Sequence, residues 1–361
     1  MKVLTSYTID ELAKEMERSG MERFRAFQVF KWIYKKFQTD FDAMTDISKE
    51  HRKLLRESFL VHPIELETKV EAEDSTKYIF RTLDGHAVET VLIKERDHLT
   101  LCVSSQIGCA VGCKFCATAM DGLIRNLRVE EILDQLLQVQ LRILPERIRN
   151  VVFMGMGEPL ANYENIRKAI EIFISPWGLD LSKRRVSIST SGLIPQIKRM
   201  IQDQVMRDIN LAVSINAPFE FLRASLMPIS KTNTLGELME VLKNYPYPKG
   251  RKIMLEYVMI KDVNDSVKHA QMLVNLIGEY KRKFKVNLIP YNPSLGIAYE
   301  RPAMDRVYEF QRVLLDRGIS AFVRISKGFE IFGACGQLRS KENMIKLSKW
   351  EEKAGLLNLY R

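Results

Sequence analysis

The stretch LTLCVSSQIGCAVGCKFCAT (residues 99–118) decides the fold, because it joins an apolar run to three closely spaced cysteines. The run at 99–105 predicts a buried β-strand, since apolar residues dominate it and a loop of small residues follows. Cys109, Cys113 and Cys116 then follow the pattern CxxxCxxC. Three of the five cysteines therefore lie in one loop at the end of one predicted strand.

The strand at 99–105 is the first of six units in which a buried strand precedes a helical pattern. Such alternation predicts a parallel sheet covered by helices. Six units are too few for the eightfold barrel, so residues 99–338 fit a partial barrel or a doubly wound sheet. The predicted strands are 99–105, 150–156, 184–190, 208–216, 251–260 and 284–292, with helices at 129–143, 163–174, 193–203, 234–245, 266–280 and 304–318.

The segments outside this α/β core differ in pattern. Residues 1–65 predict a small helical accessory domain, whose first helix has a possible capping box formed by Thr8 and Glu11. In residues 66–98 the side chains show strand alternation on either side of a Leu-Asp-Gly turn, which predicts a β-hairpin linking the two parts. Residues 339–361 are basic and predict a C-terminal tail or helix.

Composition predicts a globular protein with a basic surface. The 361 residues are 46% apolar and 28% charged, with a formal net charge of +10. Excess positive charge favours a polyanionic partner, most commonly nucleic acid. Neither a membrane-spanning run nor a secretory signal is expected. We therefore expect a cytoplasmic protein, in which clustered thiols bind metal or act in catalysis.

Polar or small residues follow most of the predicted strands. Because the carboxyl ends of parallel strands meet at one edge, we expect these residues to surround a shared ligand site. They are Gly157, Glu158, Ser189, Ser214, Asn216 and Asn292.

Three thiolates in one loop are compatible with two kinds of metal site. A structural zinc site has four protein ligands, so Cys102, Cys335 or a histidine would have to supply the fourth. An iron–sulfur cluster also takes four ligands, and three cysteines would leave one iron open to a substrate or cofactor.

CxxxCxxC after the first strand of a βα architecture resembles the radical S-adenosylmethionine (SAM) superfamily. The resemblance implies that Cys109, Cys113 and Cys116 hold one [4Fe–4S] cluster and that the open iron binds SAM. It also implies that an electron from the cluster cleaves SAM to a 5′-deoxyadenosyl radical. The segment GMGEP (155–159) is similar to the glycine-rich segment that meets the SAM amino group.

Two further residues stand out by their position within a strand. Cys102 shares a strand face with Thr100 and Ser104, which would point into the lumen of a barrel. Glu89 falls on the otherwise apolar face of its strand. Its carboxylate lies either in water at a strand end or in a desolvated place, with a raised pKa suited to proton transfer.

Motifs spread along the chain make the resemblance more specific. They occur in the order SSQIGCAVGCKFCAT, FMGMGEPLANY, SISTSGLIP, VNLIPYNP and ACGQL. This order, from about residue 25 to about residue 338, resembles the RlmN/Cfr family of radical SAM adenine methyltransferases. The fold implied is a partial (β/α)6 barrel with a helical accessory domain.

The family resemblance implies a role for each candidate residue. Cys335 would be S-methylated and would then bond covalently to the RNA, while Cys102 would be its partner thiol in a transient disulfide. Glu89 would accept a proton, and two SAM molecules would be used per turnover. The implied SAM contacts are Gly157, Glu158, Ser189, Ser214, Ile215, Asn216 and Asn292.

The resemblance also implies the substrates. Pro159 matches the C2-methylating branch, whose targets are an adenosine of 23S rRNA at the peptidyl-transferase centre, before full ribosome assembly, and the adenosine 3′ of the tRNA anticodon. A flavodoxin or ferredoxin would donate electrons to a monomeric enzyme. The expected RNA-contacting surface comprises Arg23, Arg25, Lys31, Lys35 and Lys36.

The sequence departs from the family at three positions. Asn216 replaces a usual histidine, and Glu330 and Gly333 replace a usual aspartate and alanine, so we expect a looser loop around Cys335. The alternatives are C8 methylation, another radical SAM activity, and a non-catalytic, zinc-stabilised RNA-binding protein.

Overall fold

The structure, a computed structural model, describes residues 1–339. The predicted basic tail therefore lies outside the described residues, apart from Arg339. The strands are β1 (Lys2–Val3), β2 (Phe59–Leu60), β3 (Ile64–Glu71), β4 (Ser75–Thr82), β5 (Ala87–Lys94), β6 (Leu99–Cys102), β7 (Gln106–Gly108), β8 (Leu123–Asn126), β9 (Ile148–Phe153), β10 (Val186–Thr190), β11 (Asn210–Ser214), β12 (Ile253–Met259), β13 (Phe284–Pro290) and β14 (Ser320–Val323). The helices are α1 (Ile9–Arg18), α2 (Arg25–Phe30), α3 (Lys49–Ser58), α4 (Val129–Arg142), α5 (Tyr163–Ile174), α6 (Ile194–Gln202), α7 (Glu220–Leu226), α8 (Leu235–Lys243), α9 (Val267–Ile277) and α10 (Met304–Asp316).

The core is a run of parallel strands that pair in chain order. β6 pairs with β9, and β9 to β14 follow one another without a reversal. A doubly wound sheet would reverse its strand order partway. Because parallel crossovers are right-handed, a sheet in chain order keeps its helices on one face and curves around the other. The structure therefore confirms the partial barrel and shows it as an open sheet ending at β14.

The sheet continues beyond the barrel through three antiparallel strands. β5 pairs with β6, β4 with β5 and β3 with β4, which makes the sheet ten-stranded within the described residues. β4 and β5 are the expected hairpin. The additional strand β3 begins at Ile64, inside the segment assigned to the helical domain. Its alternating residues, IELETKVE, lie mostly within 66–98, where strands were expected, so the structure has three antiparallel strands where the hairpin prediction had two.

The amino-terminal helices pack on the barrel. The predicted capping box of α1 is present, since the amide of Thr8 donates to the Glu11 carboxylate over 2.8 Å. α2 continues as a π-helical turn at Lys31–Lys35. The buried side chains of these helices share one hydrophobic core with the barrel. The domain boundaries themselves stay predictions. None of the helices in residues 1–339 is long and apolar enough to cross a membrane.

Candidate active site

A cavity opens at the carboxyl ends of the parallel strands. It contains about 1010 Å³ of empty space, including its mouth, which is at the upper end of the range for ligand sites. The expected edge of the sheet therefore does gather the strand-end residues. The predicted residues that line it are Cys109, Cys113, Cys116, Gly157, Glu158, Ser189, Ser214, Asn216, Asn292 and Cys335.

The three-cysteine loop lies between β7 and β8 and is fixed by its backbone. The amide of Cys109 donates to the carbonyl of Gly122 over 2.8 Å, and the amide of Lys114 donates to the carbonyl of Leu226 over 3.0 Å. Gly108 has a φ of +76°, and a Cβ there would lie 1.9 Å from the carbonyl oxygen of Gly122. A side chain at this position would therefore push the cysteine loop off the β7–β8 ribbon.

The donor set of this loop fits an iron–sulfur cluster. Soft thiolate donors suit iron–sulfur clusters, and the three side chains all reach the cavity wall. No group of three His, Cys, Asp or Glu side chains within residues 1–339 is arranged to hold a single metal ion. Burial raises the pKa of all three thiols, that of Cys109 to about 12. Cluster binding must therefore displace three protons.

The glycine-rich segment after β9 packs against the strand that precedes the cysteine loop. Gly157 has a φ of +99°, and a Cβ there would lie 2.5 Å from Cβ of Gln106. The amide of Glu158 donates to Oε1 of Gln106 over 2.7 Å. Glycine is thus required at 157 both by the backbone conformation and by the lack of space.

Glu158 presents a buried carboxylate to the cavity. Its side chain is 3% exposed and accepts from the amides of Leu160, over 3.0 Å, and Ser191, over 2.6 Å. Burial raises its pKa, and these amides oppose the rise. In the part of the chain that the structure describes, it has no Lys, Arg or His ion-pair partner. A cationic ligand group would therefore be favoured here.

Asn216 occupies a backbone position that few residues accept. Its φ is +55°, a left-handed conformation in which asparagine and histidine are enriched. Its Oδ1 accepts from the amide of Val258 over 2.8 Å. The replacement of the family's usual histidine is thus compatible with the backbone. Neighbouring Ile215 is fully buried and does not line the cavity, and its amide bonds the carbonyl of Glu256.

Asn292 connects the end of β13 to the loop that carries Cys335. Its Nδ2 donates to the carbonyl of Cys335 over 3.1 Å and to the hydroxyl of Ser326 over 2.9 Å. Its Oδ1 accepts from Arg301 over 2.7 Å. The side chain lines the cavity, yet its polar atoms are already used to hold the loop.

A second cavity of about 810 Å³ adjoins the first. Cys335 lines both cavities, whereas Cys102 lines only the second. Burial raises the pKa of both thiols, that of Cys102 to about 12. Arg324 also lines the second cavity, and its guanidinium opposes this rise in pKa. All five cysteines of residues 1–339 are free thiols, so the implied disulfide is not present.

Glu89 lies on the apolar face of β5, as its position in the strand predicts. Its side chain is 1% exposed, which excludes the alternative of a strand end in water. Burial raises its pKa to about 7, although the ammonium of Lys77, 3.5 Å away, opposes the rise. Glu89 lines neither cavity.

The sequence did not reveal one further residue of the site. Arg223 is fully buried and donates to the carbonyls of Ser191, over 2.7 Å, and Ser214, over 3.2 Å. It thereby ties together the ends of β10 and β11. The only signal was a cation in the mostly apolar stretch FLRASLM, which is too weak to stand alone.

The expected RNA-contacting cations are mostly engaged by other groups. Arg23 lies 3.7 Å from Glu17, Arg25 bonds Glu22 over 3.0 Å, and Lys35 lies 3.5 Å from Asp180. Lys36 stacks on the ring of Trp32, 3.1 Å from its centroid. Lys31 is exposed. This surface therefore carries less free positive charge than the sequence suggests.

Known proteins match nearly the whole chain. Residues 3–61 match the ribosomal RNA large subunit methyltransferase N-terminal domain, and residues 103–273 match the Radical SAM superfamily. A probable dual-specificity RNA methyltransferase RlmN of Aquifex aeolicus (strain VF5) is 64% identical, over 94% of this chain and 98% of that protein. The dual-specificity RNA methyltransferase RlmN of Geobacter sulfurreducens is 43% identical, over 94% and 93%. The crystal structure of a radical SAM methyltransferase from Sphaerobacter thermophilus has a TM-score of 0.89 at 39% identity, and covers 94% of this chain and 99% of that one.

This chain is thus a radical SAM enzyme, of the class that uses SAM and a [4Fe–4S] cluster. Its identity to the curated relatives goes further, and the chain belongs to the RlmN family of RNA methyltransferases. Membership confirms the resemblance drawn from the motifs and implies an RNA substrate. The alternatives of another radical SAM activity and of a non-catalytic zinc protein do not agree with it.

Proposed function

We propose that the protein methylates C2 of an adenine in RNA through a methyl group carried on Cys335. The observation that supports this most strongly is the position of Cys335 at the junction of two cavities. One cavity holds the three-cysteine loop and the other holds Cys102. A carrier of a methyl group must meet both the source of the radical and the thiol that later releases the product.

The first cavity would hold the cofactors. Cys109, Cys113 and Cys116 would bind the cluster, and the buried Glu158 carboxylate would accept the amino group of SAM. Gly157, Ser189, Ser214, Asn216 and Asn292 would complete the SAM site, and Ile215 would support it from behind. When bound, the cluster would supply the electron that cleaves SAM to a 5′-deoxyadenosyl radical and would take one back from the RNA adduct.

The two thiols divide the remaining chemistry. One SAM methylates Cys335, and the radical from a second SAM removes a hydrogen atom from that methyl group. The resulting S–CH2 radical adds to C2 of adenine and forms a C–C bond. After one electron and the C2 proton have left, the Cys102 thiolate attacks the Cys335 sulfur. The S–CH2 bond breaks, its electron pair stays on the RNA carbon, and that carbon takes a proton to become methyl.

Glu89 would accept the C2 proton. Its burial keeps its pKa near neutrality, which suits a group that takes up a proton at physiological pH. Because Glu89 lines neither cavity, substrate or loop movement must bring the two together.

The substrates proposed are 23S rRNA, before full ribosome assembly, and tRNA. The relatives are named dual-specificity RNA methyltransferases, and Pro159 follows Glu158 as in the C2-methylating branch. The target base must leave its stack to expose a ring carbon, so unpaired or flipped-out adenosine is expected. We propose a monomeric, cytoplasmic enzyme that is reduced by a flavodoxin or ferredoxin.

The Cys102→Ala variant tests this proposal. Without the second thiol the adduct cannot be released, so RNA should remain bound to Cys335 on a denaturing gel. The double variant Cys102→Ala, Cys335→Ala is the matched control and should bind no RNA covalently. Normal turnover by Cys102→Ala, with no trapped RNA, would contradict the scheme. Release of 8-methyladenosine by the unchanged chain would favour the C8 alternative.

A further inference from the structure

Lys77 is a buried cation in the middle of β4. Its side chain is 4% exposed, and lysine is almost never buried to that extent unless it is paired. Its ammonium has two partners, which are the Glu89 carboxylate at 3.5 Å and the main-chain carbonyl of Phe332 at 3.3 Å. The first partner is the proposed proton acceptor, and the second belongs to the loop that carries Cys335.

Strand register places this pair on the same sheet face as Cys102. Ile79 pairs with Glu89, and Lys77 pairs with Val91, so Lys77 and Glu89 are diagonal neighbours on one face. Val91 in turn pairs with Cys102 on β6. The ammonium, the carboxylate and the proposed releasing thiol therefore share one face of three adjacent strands.

Lys77 is the cation beside Glu89 in the described residues. Within residues 1–339 no other charged side chain is within ionic distance of that carboxylate, and Arg339 offers it only a main-chain amide. Burial favours the protonated acid, and the nearby ammonium favours the carboxylate. A proton acceptor must be ionised before it can act.

The same ammonium holds the loop of Cys335. Phe332 has a φ of +50°, a conformation that costs free energy for a bulky residue, so its position depends on contacts such as this one. The amide of Gly328 adds a second contact by donating to Oδ1 of Asp74 over 3.2 Å. Cys335 lies three residues after Phe332 in this loop.

We propose that Lys77 is a positioning residue which favours the ionised form of Glu89 and links Glu89 to the loop that carries Cys335. One ammonium contacts both groups, so the proton acceptor ionises more readily when the loop that carries Cys335 is in the position seen here. This inference rests on the proposed function, because it assigns the proton transfer to Glu89.

Three substitutions separate charge from loop contact. Lys77→Gln removes the charge and retains a donor for the Phe332 carbonyl. Lys77→Met removes both, and Lys77→Arg retains the charge. The assay is single-turnover release of RNA from the Cys335 adduct, followed between pH 6 and pH 9 on the reconstituted enzyme. Release also needs the Cys102 thiolate, but Cys102 is the same in every variant, so the difference between variants reports on Glu89. Hydrogen exchange of residues 328–336 is a second measurement.

Loss of the cation raises the pKa of Glu89, so release should need a higher pH. For Lys77→Gln and Lys77→Met we expect the acid limb of the release rate to move up by about one pH unit or more, so that release at pH 7 slows by about fivefold or more. High pH should restore release, and Lys77→Arg should resemble the unchanged chain. Only Lys77→Met should also show faster amide hydrogen exchange in residues 328–336.

The outcomes separate this inference from the proposed function. If Glu89→Gln stalls release at every pH but Lys77→Gln leaves the acid limb unmoved, the inference about Lys77 is wrong while Glu89 retains its role. If Glu89→Gln releases RNA normally, Glu89 is not the acceptor, and the inference is wrong too. The scheme for Cys335 and Cys102 is judged separately by the trapped adduct of Cys102→Ala. Should Lys77→Met fail to fold, Lys77→Gln and Lys77→Arg still decide whether the charge of Lys77 favours the ionised form of Glu89.

Discussion

The side-chain amide of Asn292 donates to the main-chain carbonyl of Cys335 over 3.1 Å. This bond joins the end of β13, in the barrel wall, to the loop that carries the proposed methyl carrier. A residue expected to contact SAM is therefore also a tether, and its two roles can be separated by experiment.

Asn292→Asp should loosen the Cys335 loop. Aspartate can still accept from Arg301, but it cannot donate to the Cys335 carbonyl, and the two oxygens would repel each other. We expect amide exchange to rise at least severalfold across residues 326–338. Ser326→Ala is the control, because it removes one partner of the amide and leaves the bond to Cys335 intact. A large loss of SAM affinity with unchanged exchange would show that Asn292 acts on SAM alone.

Substitution of the cysteines should divide them into two groups. Cys109→Ala, Cys113→Ala and Cys116→Ala should each lose most of the bound iron and sulfide after anaerobic purification, since cluster ligands are few and not replaceable by solvent. Cys102→Ala and Cys335→Ala should retain both. Iron and sulfide analysis with visible absorption gives the answer. Zinc in place of iron, or iron loss in the second group, would contradict the assigned ligands.

Gly157→Ala should damage the SAM site. The new Cβ would lie 2.5 Å from Cβ of Gln106 and 2.8 Å from the main-chain nitrogen of Gln106, at a residue whose φ is +99°. We expect a loss of about 1–3 kcal/mol in the free energy of unfolding and at least tenfold weaker SAM binding. Gly236→Ala is the matched control, because a Cβ there meets nothing within 4 Å. Its stability should rise by up to about 1 kcal/mol. Equal behaviour of the two variants would contradict the packing described.

Gly333→Ala tests one of the departures from the family. A Cβ at this position would lie 3.4 Å from the carbonyl oxygen of Gly328 and 3.5 Å from Cγ2 of Val91, which are ordinary contacts. Its backbone conformation suits alanine, so the substitution should stabilise the chain by about 0.4–1 kcal/mol through the unfolded state. Urea unfolding measures the change, with methylation as the check on function. A loss of stability would mean that the loop needs glycine here.

The sequence predicted the parts of the site that follow from local pattern. Strand ends, the cysteine spacing and the capping box of α1 depend on neighbours along the chain, and each lies where it was expected. The cavity-facing position of Cys102 also followed, because side chains alternate along a strand. For Glu89 the sequence left two environments open, and only the structure shows that the carboxylate is buried.

Contacts between distant segments could not be predicted. Lys77 and Phe332 are far apart along the chain. Arg223 donates to main-chain carbonyls, and every residue has a carbonyl, so the sequence does not show which ones it contacts. The pairing of β3 with β4 could not be predicted either, because alternation along a segment indicates a strand but not the strand beside it. The same limit applies to the RNA-contacting cations, since the sequence does not show which carboxylates, such as Asp180 near Lys35, lie beside them.

The fate of the methyl hydrogens tests the central claim most directly. The reconstituted enzyme is supplied with SAM bearing a CD3 group and allowed several turnovers on RNA, after which the nucleosides are analysed by mass spectrometry. The account predicts 2-methyladenosine with two deuterium atoms in its methyl group, because one is removed by the 5′-deoxyadenosyl radical and a proton replaces it. The 5′-deoxyadenosine should carry the third. A product with an intact CD3 group would show direct transfer from SAM and would contradict the role of Cys335.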